Sequence, residues 1–428
     1  MKALFEDLST RKRDVALLNL AMLVVMLVFW ATLSGRWEQD QNYDYLTYYG
    51  PVAQRLVDGV GLWEPSGAVA AHYPPGFSIL LAGVYEIADL TGIGEEAALK
   101  VFILVCSALT VTLLYAIALR IFGEHVALLT GLLWATYPFF LWLSKQPNSE
   151  TPFLVLFLAT IYSFIAFWSA AVRPEWPSIR TGLLAGLTSL VRPAAVVLSV
   201  VLAIVLLYVR RDLQTKRRFR AAVLLLFGNL MAVMPWEVWV WQQSGHWILL
   251  GRSSKVSLVE GMNFALRPQG SGVPLQVDPK IRDLMAKADG HQERIDTLGG
   301  LTRFLLAEAR TDPVTVGRFL LFKGRRAWYG TQAQWLENWT AVIQIVYLCV
   351  ILAGAALALR KRDGRRDYAL LAILCAAYFW AMTLIVVPLL RYMVPAMSLL
   401  MVLAAVFAVW LFKRVRTRFA RPAAQVVA

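Results

Sequence analysis

From Val15 to Leu33 the chain runs for 19 residues without one charged side chain, and comparable runs recur almost to its C-terminus. A hydrocarbon layer needs roughly 20 such residues in a helix, because only a helix satisfies its own backbone where water is absent. The composition agrees: 58% of the 428 residues are hydrophobic and only 16% are charged, where a soluble domain carries about a quarter charged residues. Sixteen Trp and 15 Tyr suit a chain that meets the membrane–water interface repeatedly. The net charge of +14 could suggest nucleic acid. The cations, however, sit in short clusters directly after apolar runs, which is a positive-inside pattern rather than a groove for phosphates. The partner this pattern implies is membrane lipid, not nucleic acid.

Arg11, Lys12 and Arg13 before the first run place the N-terminus on the cytoplasmic side. The run is too long for a signal peptide and lacks a small-residue cleavage site, so it reads as a retained anchor. Further spans are expected at 98–119, 124–143, 152–172, 221–240 (ending at Pro235-Trp236), 341–359, 368–387 and 393–412. The stretch 180–209 is harder. Arg173 to Arg180, and the run Arg210, Arg211, Lys216, Arg217, Arg218, Arg220, both belong on the cytoplasmic side, so the chain must go out and back between them. Two short spans broken at Val191-Arg192-Pro193 satisfy this, with Arg192 at the outer turn and proline where no helix bond is lost. Basic clusters at 360–366 and 413–418 mark a cytoplasmic turn and a cytoplasmic C-terminus.

The expected fold is therefore one all-α, polytopic transmembrane domain over 1–428, with about ten spans and both termini cytoplasmic. Two large extracytoplasmic loops are expected, 34–97 and 241–340. In the first, Phe77 to Leu90 is apolar but short and carries Glu86 and Asp89, so it reads as an interfacial helix. In the second, helices are expected at 279–287 and 301–322. Cys106, Cys349 and Cys375 all lie in apolar runs without metal-like spacing and read as core packing.

Because the inner loops are short and basic, chemistry is expected on the outer face. The first loop carries Asp40 and Asp44, then Tyr48-Tyr49, then His72-Tyr73-Pro74-Pro75-Gly76. An acid at the membrane boundary loses part of its hydration, which suits a general base; Asp44 would equally serve as a solvated loop acid or a helix cap. Glu150, at the outer mouth of a span, has the same two readings. Arg192 and Arg391 stand at outer helix ends, against the positive-inside bias. Each could snorkel to headgroups or clamp a phosphate, with Lys255 and Arg252 assisting. The four His show no ligand spacing; Asp44, Glu150 and His72 are the one set that could hold a divalent metal, and no other cofactor is implied. No Gly-rich nucleotide loop is present, which argues against a nucleotide-sugar donor and against ATP-driven transport.

The order of these pieces resembles the GT-C superfamily of membrane glycosyltransferases, in the bacterial branch similar to glycosyltransferase family 39. That branch includes dolichyl-phosphate-mannose–protein mannosyltransferases and lipid A aminoarabinose transferases. The resemblance rests on Asp44, Tyr49, Ala53, Leu56, Gly59 and Gly61, then Tyr73-Pro74-Pro75-Gly76-Phe77 with Leu80-Leu81-Ala82. It continues with Ser149-Glu150-Thr151-Pro152, then Gly182, Gly186, Leu190, Arg192 and Pro193, then Pro235-Trp236, then Arg391, Tyr392 and Pro395. Asp44 stands one residue farther from Tyr49 than the family pattern has it, which leaves Asp40 as an alternative. Glu237 and Trp241 follow the Pro-Trp turn where relatives often carry Arg-Asn. The chain ends after its last span, which argues against an oligosaccharide-to-asparagine transferase.

The resemblance implies an inverting hexosyl- or pentosyltransferase of the inner (plasma) membrane, its site facing the periplasm or exterior. The donor would be a polyprenyl-phosphate sugar and the acceptor a hydroxyl on a lipid, glycan or protein. Asp44 would be the general base and Glu150 would orient the acceptor or sugar. Arg192 and Arg391 would hold the phosphate, with Tyr49, His72, Tyr73, Lys255 and Tyr392 lining the substrate. The alternative is a lipid or lipid-linked-saccharide transporter, which would want mid-membrane charges and related halves; neither is evident here.

Overall fold

The computed structural model describes residues 9–33, 43–168, 175–209, 213–266, 275–332 and 334–419. Asp40, with the rest of Gln39 to Asn42, and the cations Arg173, Arg210 and Arg211 lie outside the described residues. Helix α1 (Lys12–Thr32) is followed by a π turn (Tyr45–Tyr49) that runs into α2 (Gly50–Val57), then by α3 (Gly76–Thr91) and α4 (Glu95–Phe122). Next come α5 (Glu124–Ala135), α6 (Pro138–Leu143), α7 (Glu150–Trp168), α8 (Glu175–Val191), α9 (Leu198–Val209) and α10 (Thr215–Ser244). The second large loop holds α11 (Ser253–Asn263), α12 (Pro279–Asp289), α13 (Gln292–Ile295), α14 (Leu298–Thr311) and α15 (Pro313–Arg326). Helices α16 (Glu337–Leu359), α17 (Gly364–Ile385) and α18 (Val394–Phe419) follow. Among the described residues the only extended pairing is an isolated bridge between Trp63 and Val69.

Among the described residues seven helices, α1, α4, α7, α10, α16, α17 and α18, are long and apolar enough to cross a membrane. The other three expected spans appear as shorter helices. The stretch 124–143 is divided between α5 and α6, because Pro138 lacks an N–H and pushes Tyr137 into an extended conformation (ψ 110°). The break expected at 191–193 is present: Arg192 is extended (φ −144°, ψ 130°) and Pro193 opens a 3₁₀ turn before α9. The expectation that a span ends at Pro235 is corrected. Helix α10 continues through Pro235 to Ser244 and stops at Gly245, left-handed at φ 71°, whose N–H returns to the Trp241 carbonyl. Burial of Trp236 and Val240 offsets the one hydrogen bond that proline removes. The helix expected over 301–322 is likewise two helices, parted at Asp312-Pro313, where the Asp312 carboxylate accepts from Thr315 N–H at 3.0 Å.

Helix α7 is the most enclosed span: Leu154, Phe157, Leu158, Ile161, Phe164 and Ile165 are all fully buried. Helix α8 packs on α10 along its glycines. A Cβ at Gly182 would stand 2.0 Å from the Leu225 carbonyl oxygen, one at Gly186 2.6 Å from Ala232 Cβ, and one at Gly228 2.3 Å from the Ile179 carbonyl oxygen. The Gly-x-x-x-Gly spacing is thus a close-packing device that fixes where α8 delivers Arg192. Gly182→Ala is expected to destabilise the protein by about 1–3 kcal/mol through overpacking, read as a lower melting temperature in detergent; an unchanged melt would mean the backbones do not touch. A second, smaller core joins α11, α12, α14 and α15 to Val387 and Leu389 in the α17–α18 connection.

Candidate functional site

The first loop reaches the helix ends through a widened turn. Gly50 N–H reaches back five residues to the Tyr45 carbonyl, and Pro51 has no N–H with which to restore the α pattern. This π turn buries both Tyr48 and Tyr49. Asp44, just ahead of it, is half-buried and accepts a hydrogen bond from the Tyr73 hydroxyl at 3.1 Å. The Tyr73 ring stacks on Tyr49 with centroids 4.9 Å apart and meets the edge of Tyr48 at 5.2 Å. Burial first, then the Asp44 charge, pushes the Tyr73 hydroxyl well above its ordinary range, so it remains the donor. Gly76 locks this turn against α8, since a Cβ there would stand 2.6 Å from the Leu190 carbonyl oxygen.

The second acid lies at the start of α7. Its position suggested a cap, but Asn148 takes that role: its Oδ1 accepts from Glu150 N–H (3.1 Å) and Thr151 N–H (3.3 Å). The Glu150 carboxylate instead pairs with Arg192 Nη1 at 2.5 Å, and the two side chains are only 8% and 16% exposed. Arg192 Nη1 also donates to Ser149 Oγ at 2.9 Å. Burial works against the Arg192 charge, and Glu150 more than restores it, so its pKa is raised. A buried, paired guanidinium is not a snorkelling one. Tyr49 lies within electrostatic reach of Arg192, which ties the first loop to this pair.

The last piece comes from the α17–α18 connection. Arg391 Nη2 donates to the Tyr392 hydroxyl at 3.1 Å, and the Tyr392 ring lies 6.0 Å from the Arg192 guanidinium carbon. Among the described residues Arg391 forms no ion pair, and its buried Nε has no partner. Burial opposes its charge, but Tyr392, Glu150 and Asp44 together hold it raised. Four segments far apart in sequence therefore place two carboxylates and two guanidiniums in one electrostatic unit.

Of the remaining expected residues, His72 joins the aromatic cluster, its ring 4.5 Å from Tyr73 and 5.6 Å from Tyr48, and burial lowers its pKa. Lys255 is directed elsewhere: it is exposed and pairs with Asp296 at 3.2 Å within the second loop. Arg252 contributes its backbone, donating to the Ala71 carbonyl at 2.8 Å. Among the described residues no three His, Cys, Asp or Glu side chains group as a metal requires. Glu150 is committed to Arg192, so the Asp44–Glu150–His72 set is not assembled. Ser149 and Tyr48 were given no role from sequence, although both stand beside residues that were.

The helical fold is similar to that of solved oligosaccharyltransferase chains. Residues 72–239 match the family described as dolichyl-phosphate-mannose-protein mannosyltransferase. No curated protein matches the chain by sequence. In fold it is similar to the oligosaccharyltransferase AglB of Archaeoglobus fulgidus in complex with an inhibitory peptide and dolichol-phosphate (TM-score 0.53, 14% identity, covering 96% of this chain and 52% of that one). The apo form of the Archaeoglobus fulgidus oligosaccharyltransferase superposes with TM-score 0.55 at 12% identity, covering 97% and 52%. The chain thus spans about half the length of these archaeal chains. ArnT from Cupriavidus metallidurans, bound to undecaprenyl phosphate, aligns with TM-score 0.40 at 15% identity, covering 98% of this chain and 82% of that one.

Proposed function

We propose that the protein transfers a sugar from a polyprenyl-phosphate-linked donor to an acceptor hydroxyl on the extracytoplasmic face of the inner membrane, with inversion. The observation that carries this reading is the pairing pattern of the four charges. Among the described residues Glu150 neutralises Arg192, Asp44 accepts from the neutral Tyr73, and Arg391 stands half-buried beside them without an ion-pair partner. An anion is the ligand such a cation accepts, and a carboxylate is the group that takes the proton of an attacking hydroxyl.

In this reading the acceptor oxygen attacks the anomeric carbon as its proton passes to Asp44. The bond from that carbon to the phosphate oxygen breaks, and polyprenyl phosphate leaves with the electron pair. Arg391, assisted by Arg192, stabilises the charge as it gathers on the phosphate, the term that usually weighs most. Tyr73 holds Asp44 in place, and Glu150 orients the acceptor or sugar by way of Arg192 and Ser149. The family match and the GT-C fold support a lipid-linked donor.

The test is transfer of radiolabelled sugar from a panel of undecaprenyl-phosphate sugars by the purified protein in detergent, with envelope extract as acceptor. Arg391→Gln is expected to lower transfer by about 10²-fold or more while the protein still folds. Parallel reactions with chelator read metal dependence. If no donor in the panel is consumed by the wild type, the transporter reading takes its place.

A further inference from the structure

Two cations in the second loop take no part in the cluster above, yet both are buried: Lys323 is 0% exposed and Arg326 is 1% exposed. Both lie on α15. Among the described residues Lys323 forms no ion pair. Its ammonium donates to the Gly261 carbonyl in α11 at 2.7 Å and to the carbonyl of Ile385, the last residue of α17, at 3.3 Å. The rings of Phe319 and Phe264 flank it at 5.4 and 6.0 Å. Arg326 Nη1 donates to the Pro388 carbonyl at 3.1 Å, while its Nη2 donates to Glu337 at 2.6 Å and to the Thr331 carbonyl at 3.0 Å. A backbone bond completes the set, from Leu390 N–H to the Gly330 carbonyl at 2.9 Å.

Three of these bonds tie one short segment, Ile385 to Leu390, to Lys323, Arg326 and Gly330, and the next residue is Arg391. The fit leaves no slack. A Cβ on Gly261 would stand 2.2 Å from the Ile385 carbonyl oxygen, and one on Gly330 would stand 2.5 Å from the Pro388 carbonyl oxygen. An ammonium buried without a carboxylate opposes folding, and burial holds Lys323 down to about 7. Met would fill much the same space without that penalty. What the ammonium supplies, and Met cannot, is a directional tie between α11 and the end of α17.

We propose that Lys323 and Arg326 are positioning residues for Arg391: they fasten the Ile385–Leu390 segment to the second loop, so that Arg391 is presented to the donor phosphate in one place. The proposal rests on the glycosyl-transfer reading above. It also makes the second loop part of the phosphate site.

The test uses the full chain in detergent and compares binding of undecaprenyl phosphate with binding of undecaprenol. Lys323→Met should weaken phosphate binding by about tenfold, the size of one misaligned charge-assisted bond, and leave binding of the alcohol unchanged. In an Arg391→Gln background the same substitution should add nothing. Lys323 has a folded pKa below its unfolded value of 10.5. It therefore lowers stability fully below about pH 7, and the penalty fades as pH rises toward 10.5. Among the described residues its contacts, two carbonyls and two rings, include no titratable side chain. Lys323→Met should accordingly melt no lower than wild type at pH 6, which a purely structural role does not predict. Gly330→Ala moves the same segment without changing a charge and should weaken phosphate binding in the same way. Undiminished phosphate affinity in both variants overturns the proposal, as does an equal loss in the Arg391→Gln background. Equal wild-type affinity for phosphate and alcohol would overturn the glycosyl-transfer reading itself, and the proposal with it.

Discussion

Replacing Asp44 by Asn is expected to lower sugar transfer by about 10²–10⁴-fold, the usual contribution of a general base, while the protein melts where the wild type does. Asparagine has the same shape, and its side-chain oxygen can still accept the Tyr73 hydroxyl that meets Asp44 at 3.1 Å. The ring stack behind it, Tyr73 on Tyr49, is untouched. What disappears is the capacity to take a proton. A capping role would give the opposite result, lost stability with activity in proportion, but the Asp44 side chain makes no cap hydrogen bond to the turn that follows it. Steady-state transfer by the purified variant, run beside a thermal melt, separates the two. Wild-type turnover by Asp44→Asn would remove this carboxylate from the chemistry and return attention to Asp40.

Much of this arrangement was legible in the residues, for identifiable reasons. Apolar length and basic clusters are properties of local sequence, so α1, α4, α7 and the last three helices fall where hydropathy puts them. The break at Arg192 was legible because Pro193 and the two flanking basic clusters constrain it together. Pro235 misled, because a proline inside a helix removes one bond, and whether the helix survives depends on packing that only the fold supplies, here Trp236 and Val240. The candidate site followed the same division. Charged residues at helix ends expected on the outer face were conspicuous against their surroundings, and Asp44, Glu150, Arg192 and Arg391 converge. Lys255, expected from the second loop to assist the two arginines, instead pairs with Asp296, because its partner depends on how that loop folds back. Lys323 and Arg326 were invisible, since nothing in their spacing separates them from the neighbouring Arg325. Their burial exists only because α11 and the α17–α18 connection close over α15.

Breaking the Glu150–Arg192 pair should be the most damaging single change to stability in the cluster. Taking either charge away leaves the other buried without a counter-ion, which costs about 3–5 kcal/mol for a well-enclosed pair. The 2.5 Å contact and exposures of 8% and 16% put this pair in that class. Glu150→Gln and Arg192→Met are each expected to lower the melting temperature sharply in detergent. The double variant Glu150→Met with Arg192→Met should recover much of the loss, because apolar groups of similar volume need no partner. Activity should not recover with it. Tyr49 and Ser149 stand beside this pair on one side and Tyr392 on the other, so the pair is also the joint between the acid of the first loop and the cation of the last connection. A double variant that regained both stability and transfer would show the pair to be a packing element only. If stability returns without transfer, the charges are retained for the electrostatic balance around Arg391: with Glu150 paired to Arg192, Arg391 is the guanidinium left without an ion pair among the described residues to meet an arriving phosphate.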